Sequence, residues 1–416
     1  MVTVKIKSFI CILFCLLMFS MNSVLSRSVT TLSGPDLNKA IVYTTEFVMT
    51  GTDFAYGMVE LDAGISVSGG GSIGIDGSIK KQIRFLSDST IRLTQNLHLE
   101  GFRGSFLLDT SLVSDDDCEI SSLGQPLYTL YLDSDVTVSS GAHIRRKQNI
   151  KLENIIVDGQ GHTIDFANSL YCGFVLGVNV TLKNMMIKNA WYYVDPMTLE
   201  GRGNFQLITF AGSTTFDNVQ FLVRKFQPLE FVLAGITGPG FDFRRKLNIK
   251  NNVLLGNYGQ YGIWSFGWGY PANSMVIIDN NSNLIVQDSS LIFNRYYNSD
   301  LANPKAPLQL VFQSNTSFLT IDNSIVGLDN DNIFPSIADH PFETDLTLTL
   351  SVGTINVKGN SILQANSLLA RNGKATLKIG DGLSASGDMN IIINPGATLN
   401  LVATNTNCSV RLENLH

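Results

Sequence analysis

A short motif recurs along this chain at nearly constant spacing. It consists of two apolar residues separated by one position, then two positions further an Asn, Asp or Gly, then an apolar residue three positions on. It reads Ile150, Leu152, Asn154 and Val157; Val180, Leu182, Asn184 and Ile187; and Phe216, Asn218 and Phe221. It returns as Leu247, Ile249, Asn251 and Leu254; Leu284, Val286, Asp288 and Leu291; Leu319, Ile321, Asn323 and Val326; and Ile355, Val357, Gly359 and Ile362. The anchors at 154, 184, 218, 251, 288, 323 and 359 stand 30, 34, 33, 37, 35 and 36 residues apart. Self-similarity at such a period marks a repeat architecture.

The repeating unit is a strand unit. Apolar residues alternate with period two, which turns one side of the segment inward. Asn, Asp and Gly at the anchor tolerate left-handed backbone or bond their own turn. Amphipathic helices with caps are missing between anchors, which argues against the helical repeats of similar length. Shorter strands fill the gaps at 205–210, 229–233 and 308–312, and the N-terminal third continues them, punctuated by the glycine run Gly69–Gly71. The expectation is an all-β solenoid of short parallel strands, equivalent strands stacking about 4.8 Å apart. It is expected over 53–404, with an N-terminal cap at 27–52 and a C-terminal tail or cap at 405–416. Ser33-Gly34-Pro35-Asp36 is a helix start, and Leu37, Ala40 and Ile41 would share one face, so a short capping helix is expected over 33–48.

Composition narrows the function classes. Of 416 residues, 15% are charged and 44% hydrophobic, which excludes a disordered chain. A net charge of −6 argues against nucleic-acid binding. Lys5 and Lys7 precede an apolar run from Phe9 to Phe19, and Val24 and Ser26 suit a cleavage site. That is the pattern of a secretory signal peptide over residues 1–26, so the chain is expected to be secreted. Its removal takes two lysines and leaves 27 − 35 = −8. It also leaves Cys118, Cys172 and Cys408, an odd number, so at least one thiol is expected to be free and buried. No later segment has the continuous apolar length of a membrane-spanning helix, and no transmembrane segment is expected in the mature chain.

The segment Ile155-Ile156-Val157-Asp158-Gly159-Gln160-Gly161-His162-Thr163-Ile164-Asp165-Phe166 resembles a turn of right-handed parallel β-helix proteins in the pectate-lyase and polygalacturonase superfamily. Polygalacturonases carry a similar Asp-Gly-Gln-Gly, here Asp158–Gly161. The resemblance implies the fold, right-handed coiling included, and not the activity. Those glycosidases carry Asn-Thr-Asp, Asp-Asp, Gly-His-Gly and Arg-Ile-Lys after the turn. This chain has no Asn-Thr-Asp or Arg-Ile-Lys; its Asp115–Asp117 precede the turn, and Gly161-His162 runs into Thr163. Glycoside hydrolysis needs a carboxylate pair across the scissile bond, and none can be placed.

Aromatic residues give the functional expectation. Seven to nine positions after four consecutive anchors come Trp191-Tyr192-Tyr193, Phe226, Tyr258 and Tyr296-Tyr297; Tyr261, Trp264, Phe266, Trp268 and Tyr270 follow Tyr258. In-register stacking would line them up as a ledge, and aromatic faces stack on sugar rings. Trp191, Tyr192, Tyr193, Tyr258, Trp264, Trp268, Tyr296 and Tyr297 are therefore the candidate carbohydrate-binding residues, for a polysaccharide or surface glycan. An aromatic ladder inside the solenoid is the competing reading. The leading expectation is a non-enzymatic, adhesin-like protein. The alternative is a divergent polysaccharide lyase or glycosidase acting on acidic polysaccharide, with Arg295 as base and Asp195 or Asp300 on a metal. No cofactor is expected, and the five His residues show no metal-ligand spacing. Asp329–Asn332 reads as a plain Asx turn. Asn179, Asn280, Asn315 and Asn407 begin glycosylation sequons, which matter only in a eukaryotic secretory pathway.

Overall fold

The computed structural model describes residues from Ala40 to Glu413, apart from a series of segments between strands, the longest being 189–205, 233–245, 295–308 and 330–345. Every regular element among the described residues is a strand, and the strand pairs are parallel. Each strand pairs with the equivalent strand of the coils before and after it, which makes a parallel β-solenoid with three faces.

The first face carries Ala40–Tyr43, Met58–Leu61, Gln82–Leu86 and Ser105–Asp109, and continues to Met389–Ile393. The second carries Phe47–Met49, Cys118–Ser122, Gln148–Glu153 and Cys172–Leu176, and continues to Thr398–Ala403. The third carries Thr52–Ala55, Thr129–Leu132 and Ile156–Asp158; its last rungs, Leu346–Leu350, Ala375–Ile379 and Cys408–Leu412, form a separate sheet. Longer strands such as Val180–Lys188 and Thr214–Val223 bend round a corner and serve the third face and then the first.

Period-two alternation produces the core. On the third face one inward column runs Leu97, Leu130, Val157, Leu182, Phe216, Ile249, Ile278 and Phe312, all buried and each in register with the next. Full burial of one such side chain is worth about 1.5–3 kcal/mol. The neighbouring column on the same strands points outward and is polar. Outward charges pair between coils on every face: Arg84 with Glu60 at 2.7 Å, Lys151 with Glu119 at 3.1 Å, and Lys183 with Asp158 at 3.1 Å.

All seven anchors adopt the left-handed backbone expected of their residue types, with φ between 46° and 57°. They do not share one corner. Asn154 turns from the second face to the third, as does Asn179 one coil later. Asn184, Asn218 and Asn251 turn from the third face to the first. Asp288, Asn323 and Gly359 turn from the first face to the second. The intervals of 30 and 37 are the two places where the motif changes corner, so the apparent single repeat is three corner series joined end to end.

The capping helix expected over 33–48 is not what the described part shows. Ala40–Tyr43 and Phe47–Met49 are strands, with Ala40 in register with Met58 and Phe47 with Val67. The spacing of Leu37, Ala40 and Ile41 suits a helix, but pairing with the next coil satisfies the backbone of Ala40 and Ile41 in extended form. Strand pairing therefore reaches from Ala40, and Cys408–Leu412 adds a rung within the expected tail. Cys118 and Cys408 are both buried, and the Cys408 thiol is in no disulfide. Among the described residues no helix is long and apolar enough to cross a membrane.

Candidate functional site

Three corners run along the solenoid; they share left-handed turns and differ in the side chains around them. Among the described residues, the corner from third face to first carries a long run of interacting polar side chains. Its outward column reads His98, Tyr131, Asp158, Lys183, Asp217 and Lys250 in direct register, and Lys250 lies 3.9 Å from Asp279 of the next coil. From Asp158 onward the charge alternates in sign with each coil. His98 stacks on Tyr131 with ring centroids 4.4 Å apart, and its Nδ1 lies 3.3 Å from Asp133. Asp133 accepts a hydrogen bond from Gln160 Nε2 at 2.5 Å. Across the same turn, His162 Nδ1 lies 3.5 Å from Asp135, which also accepts from the Thr163 backbone at 2.8 Å.

The local sequence explains this geometry. Asp158 closes a strand of the third face and is buried; Gln160 and Gly161 take positive φ, and the Gly161 N–H donates to the Asn184 carbonyl at 2.6 Å. A Cβ at Gly159 would overlap Met185 and Asn184, so the coil beneath leaves that position no side chain. An amide ladder follows: Asn184 donates to Asp158 at 3.2 Å, Asn218 to Asn184 at 3.2 Å, and Asn251 to Asp217 at 2.5 Å. These groups are largely engaged with one another, and this ridge sets the register of the corner. Sequence reasoning missed it. The signal was there in the residue before three successive anchors, Lys183, Asp217 and Lys250, which alternates in charge.

The aromatic candidates fall almost wholly outside the described residues. Trp191, Tyr192, Tyr193, Tyr258, Trp268, Tyr296 and Tyr297 lie in connecting segments that are not described, as do Phe226, Arg295, Asp195 and Asp300. Trp264 lies on Gly262–Gly267, its backbone in register with Leu229 and with the buried Leu291. The flanking strands fix which faces these segments join. Segments 189–205, 224–227 and 258–261 each follow a first-face strand and precede a second-face strand, on three successive coils. Segments 268–274 and 295–308 instead join the second face to the third. Among the described residues no three His, Cys, Asp or Glu side chains gather to hold a metal ion.

Comparison with protein-family models, with curated proteins and with solved structures finds no match to this chain. What can be said of its chemistry therefore comes from its own residues.

Proposed function

We propose that this is an exported, non-enzymatic β-solenoid that attaches to a surface or binds a glycan through the aromatic connections between its first and second faces. The observation that carries the reading is the recurrence of those connections. Three successive coils join the same two faces through segments holding Trp191-Tyr192-Tyr193, Phe226 and Tyr258. Coils repeat about every 4.8 Å, so a linear polymer lying along the axis would meet one such segment after another. Sugar rings present apolar C–H faces, for which Trp and Tyr are the suited partners.

The basic start and apolar run before Ser26 support export. The Asp158–Gly161 turn supports grouping the solenoid with the pectate-lyase and polygalacturonase-like β-helices. Those enzymes' catalytic motifs are missing from the sequence, so their activity is not part of the proposal.

A glycan array probed with the purified protein tests it. Trp191→Ala and Tyr258→Ala should each abolish binding, while Tyr296→Ala, in a connection between the second and third faces, should leave it. Binding unchanged in both Trp191→Ala and Tyr258→Ala would refute the reading.

A further inference from the structure

We propose that the chain carries N-linked glycans on two corners of the solenoid and that the third corner, between the first and second faces, stays bare as the edge turned toward ligand. The inference rests on the export reading, since the modification belongs to a eukaryotic secretory route.

The four sequons are Asn179-Val180-Thr181, Asn280-Asn281-Ser282, Asn315-Thr316-Ser317 and Asn407-Cys408-Ser409. Asn179, Asn280 and Asn315 are exposed and sit in turns. Asn179 lies between the second and third faces, and Asn407 precedes the third-face strand Cys408–Leu412 in the equivalent connection. Asn280 and Asn315 both lie between the third face and the first, on successive coils. The Asn281 N–H donates to Thr316 Oγ1 at 3.2 Å, which fixes the two turns against each other. Two glycans would leave this corner side by side, about one strand spacing apart.

No sequon falls between the first and second faces. Described turns there include those built on Asp288, Asn323, Gly359 and Gly396, and Asn323 is followed by Ser324 and Ile325. The segments 189–205, 224–227 and 258–261 contain none either. The glycan-free corner is thus the one whose connections on three successive coils hold Trp191-Tyr192-Tyr193, Phe226 and Tyr258.

The sequon hydroxyls set the timing. Ser282 Oγ donates to the Asn280 carbonyl at 3.2 Å and accepts from the Asn251 N–H at 3.0 Å. Ser317 Oγ is directed at the carbonyls of Ile278 and Asp279, each at 3.0 Å, and Ser317 is fully buried. Both hydroxyls are accessible only before the coil closes, so transfer precedes folding. In that transfer the Asn Nδ2 bonds the anomeric carbon of an oligosaccharide carried on a lipid pyrophosphate. The bond from that carbon to the pyrophosphate oxygen breaks, the lipid pyrophosphate leaves, and the displaced amide proton passes to solvent.

The test has two arms. Protein purified from its own producing cells is treated with an amidase that releases N-glycans in heavy-oxygen water, then mapped by mass spectrometry. Labelled Asp at positions 179, 280 and 315 on a chain beginning at Arg27 is the expected result. Unmodified Asn at all three positions on a chain beginning at Arg27 overturns this inference and leaves export standing. Unmodified Asn on a chain that keeps Met1–Ser26 overturns both. In the second arm, Ile325→Thr completes a sequon at Asn323 on the bare corner. It should weaken glycan-array binding by about tenfold or more, as a bulky surface group placed over a contact does, and enzymatic removal of the added glycan should restore it. Asn280→Gln with Asn315→Gln should leave binding unchanged. Undiminished binding with the added glycan in place, or binding lost in the double variant, overturns the assignment of the bare corner.

Discussion

Lys183 reaches back one coil to Asp158, Nζ to Oδ2 at 3.1 Å, and this pair begins the charge alternation of the outward column, which Asp217, Lys250 and Asp279 continue. Asp158 is the most committed member. It is buried, and it also accepts from the Gln160 N–H at 3.0 Å and from Asn184 Nδ2 at 3.2 Å. Charge alternation of this kind favours one stacking register, because a slip of one coil brings like charges together.

Asp158→Ala strips three donors of their acceptor at once. The expected cost is about 2–3 kcal/mol, since donors left unsatisfied pay their desolvation. Asp217→Asn keeps an acceptor for Asn251 in a more open setting and should cost less than about 1 kcal/mol. Urea titrations of the two variants, followed by far-ultraviolet circular dichroism, would check both the order and the gap. Equal midpoints would show that the pair does not hold the corner.

Asn218 holds φ at 57° between the buried rings of Phe216 and Phe221, whose centroids lie 4.8 Å apart. The left-handed turn is what brings the two rings together across the corner. Asn218→Val places a β-branched residue in that conformation and should cost about 1–2 kcal/mol. Asn218→Gly, free of that steric penalty, should stay within about 0.5 kcal/mol of the native chain. Denaturant midpoints for the two variants separate backbone conformation from the side-chain bond to Asn184.

How much of this was legible in the sequence follows from how local each cause is. The left-handed anchors were readable because Asn, Asp and Gly state their backbone preference on their own. The corner that each anchor occupies was not, because all three corners use the same turn chemistry. Only the partner strands tell Asn251 from Asp288. The same limit explains residues 40–49, where apolar spacing compatible with a helix gives way to pairing of Ala40 with Met58, 18 residues on. The polar ridge escaped notice for a related reason: Asp133 and Gln160 are 27 residues apart, and nothing in either neighbourhood announces the other. Of the candidate binding residues, the sequence supplied the identities, and the described strands supply only the faces that their segments join.

Gly71 and Gly64 both take positive φ, at 100° and 72°, but in different surroundings. A Cβ on Gly71 would overlap the Gly51 carbonyl of the preceding coil, whereas one on Gly64 would meet nothing within 4 Å. Gly64→Ala should therefore carry only the backbone penalty, about 1–2 kcal/mol. Gly71→Ala should force the first coils apart. Contacts in a solenoid are mainly between neighbouring repeats, so the damage should stay near the N-terminus. Hydrogen exchange should rise in Thr52–Ala55 and Ser66–Ile75 while Phe318–Asp322 keeps its protection. Uniform loss along the chain would contradict the one-dimensional picture.

Ser324 offers a sharper test of how the coils are tied together at the corner between first and second faces. Its Oγ donates to the Asp322 carbonyl at 2.6 Å and accepts from the Ser289 N–H of the preceding coil at 3.1 Å. Its own N–H donates to Ser361 Oγ of the following coil at 3.3 Å. The hydroxyl thus carries the Ser289 N–H across to the next coil, and both residues are buried. Ser324→Ala should cost about 1–3 kcal/mol, the desolvation of a stranded backbone donor. Ser324→Thr keeps the hydroxyl and isolates the effect of an added methyl. If the ladder rather than the local turn is at stake, Ser324→Ala should speed amide exchange at Ser289, 35 residues away, more than at Ile325 next door. Faster exchange at Ile325 alone would assign the serine to its own turn.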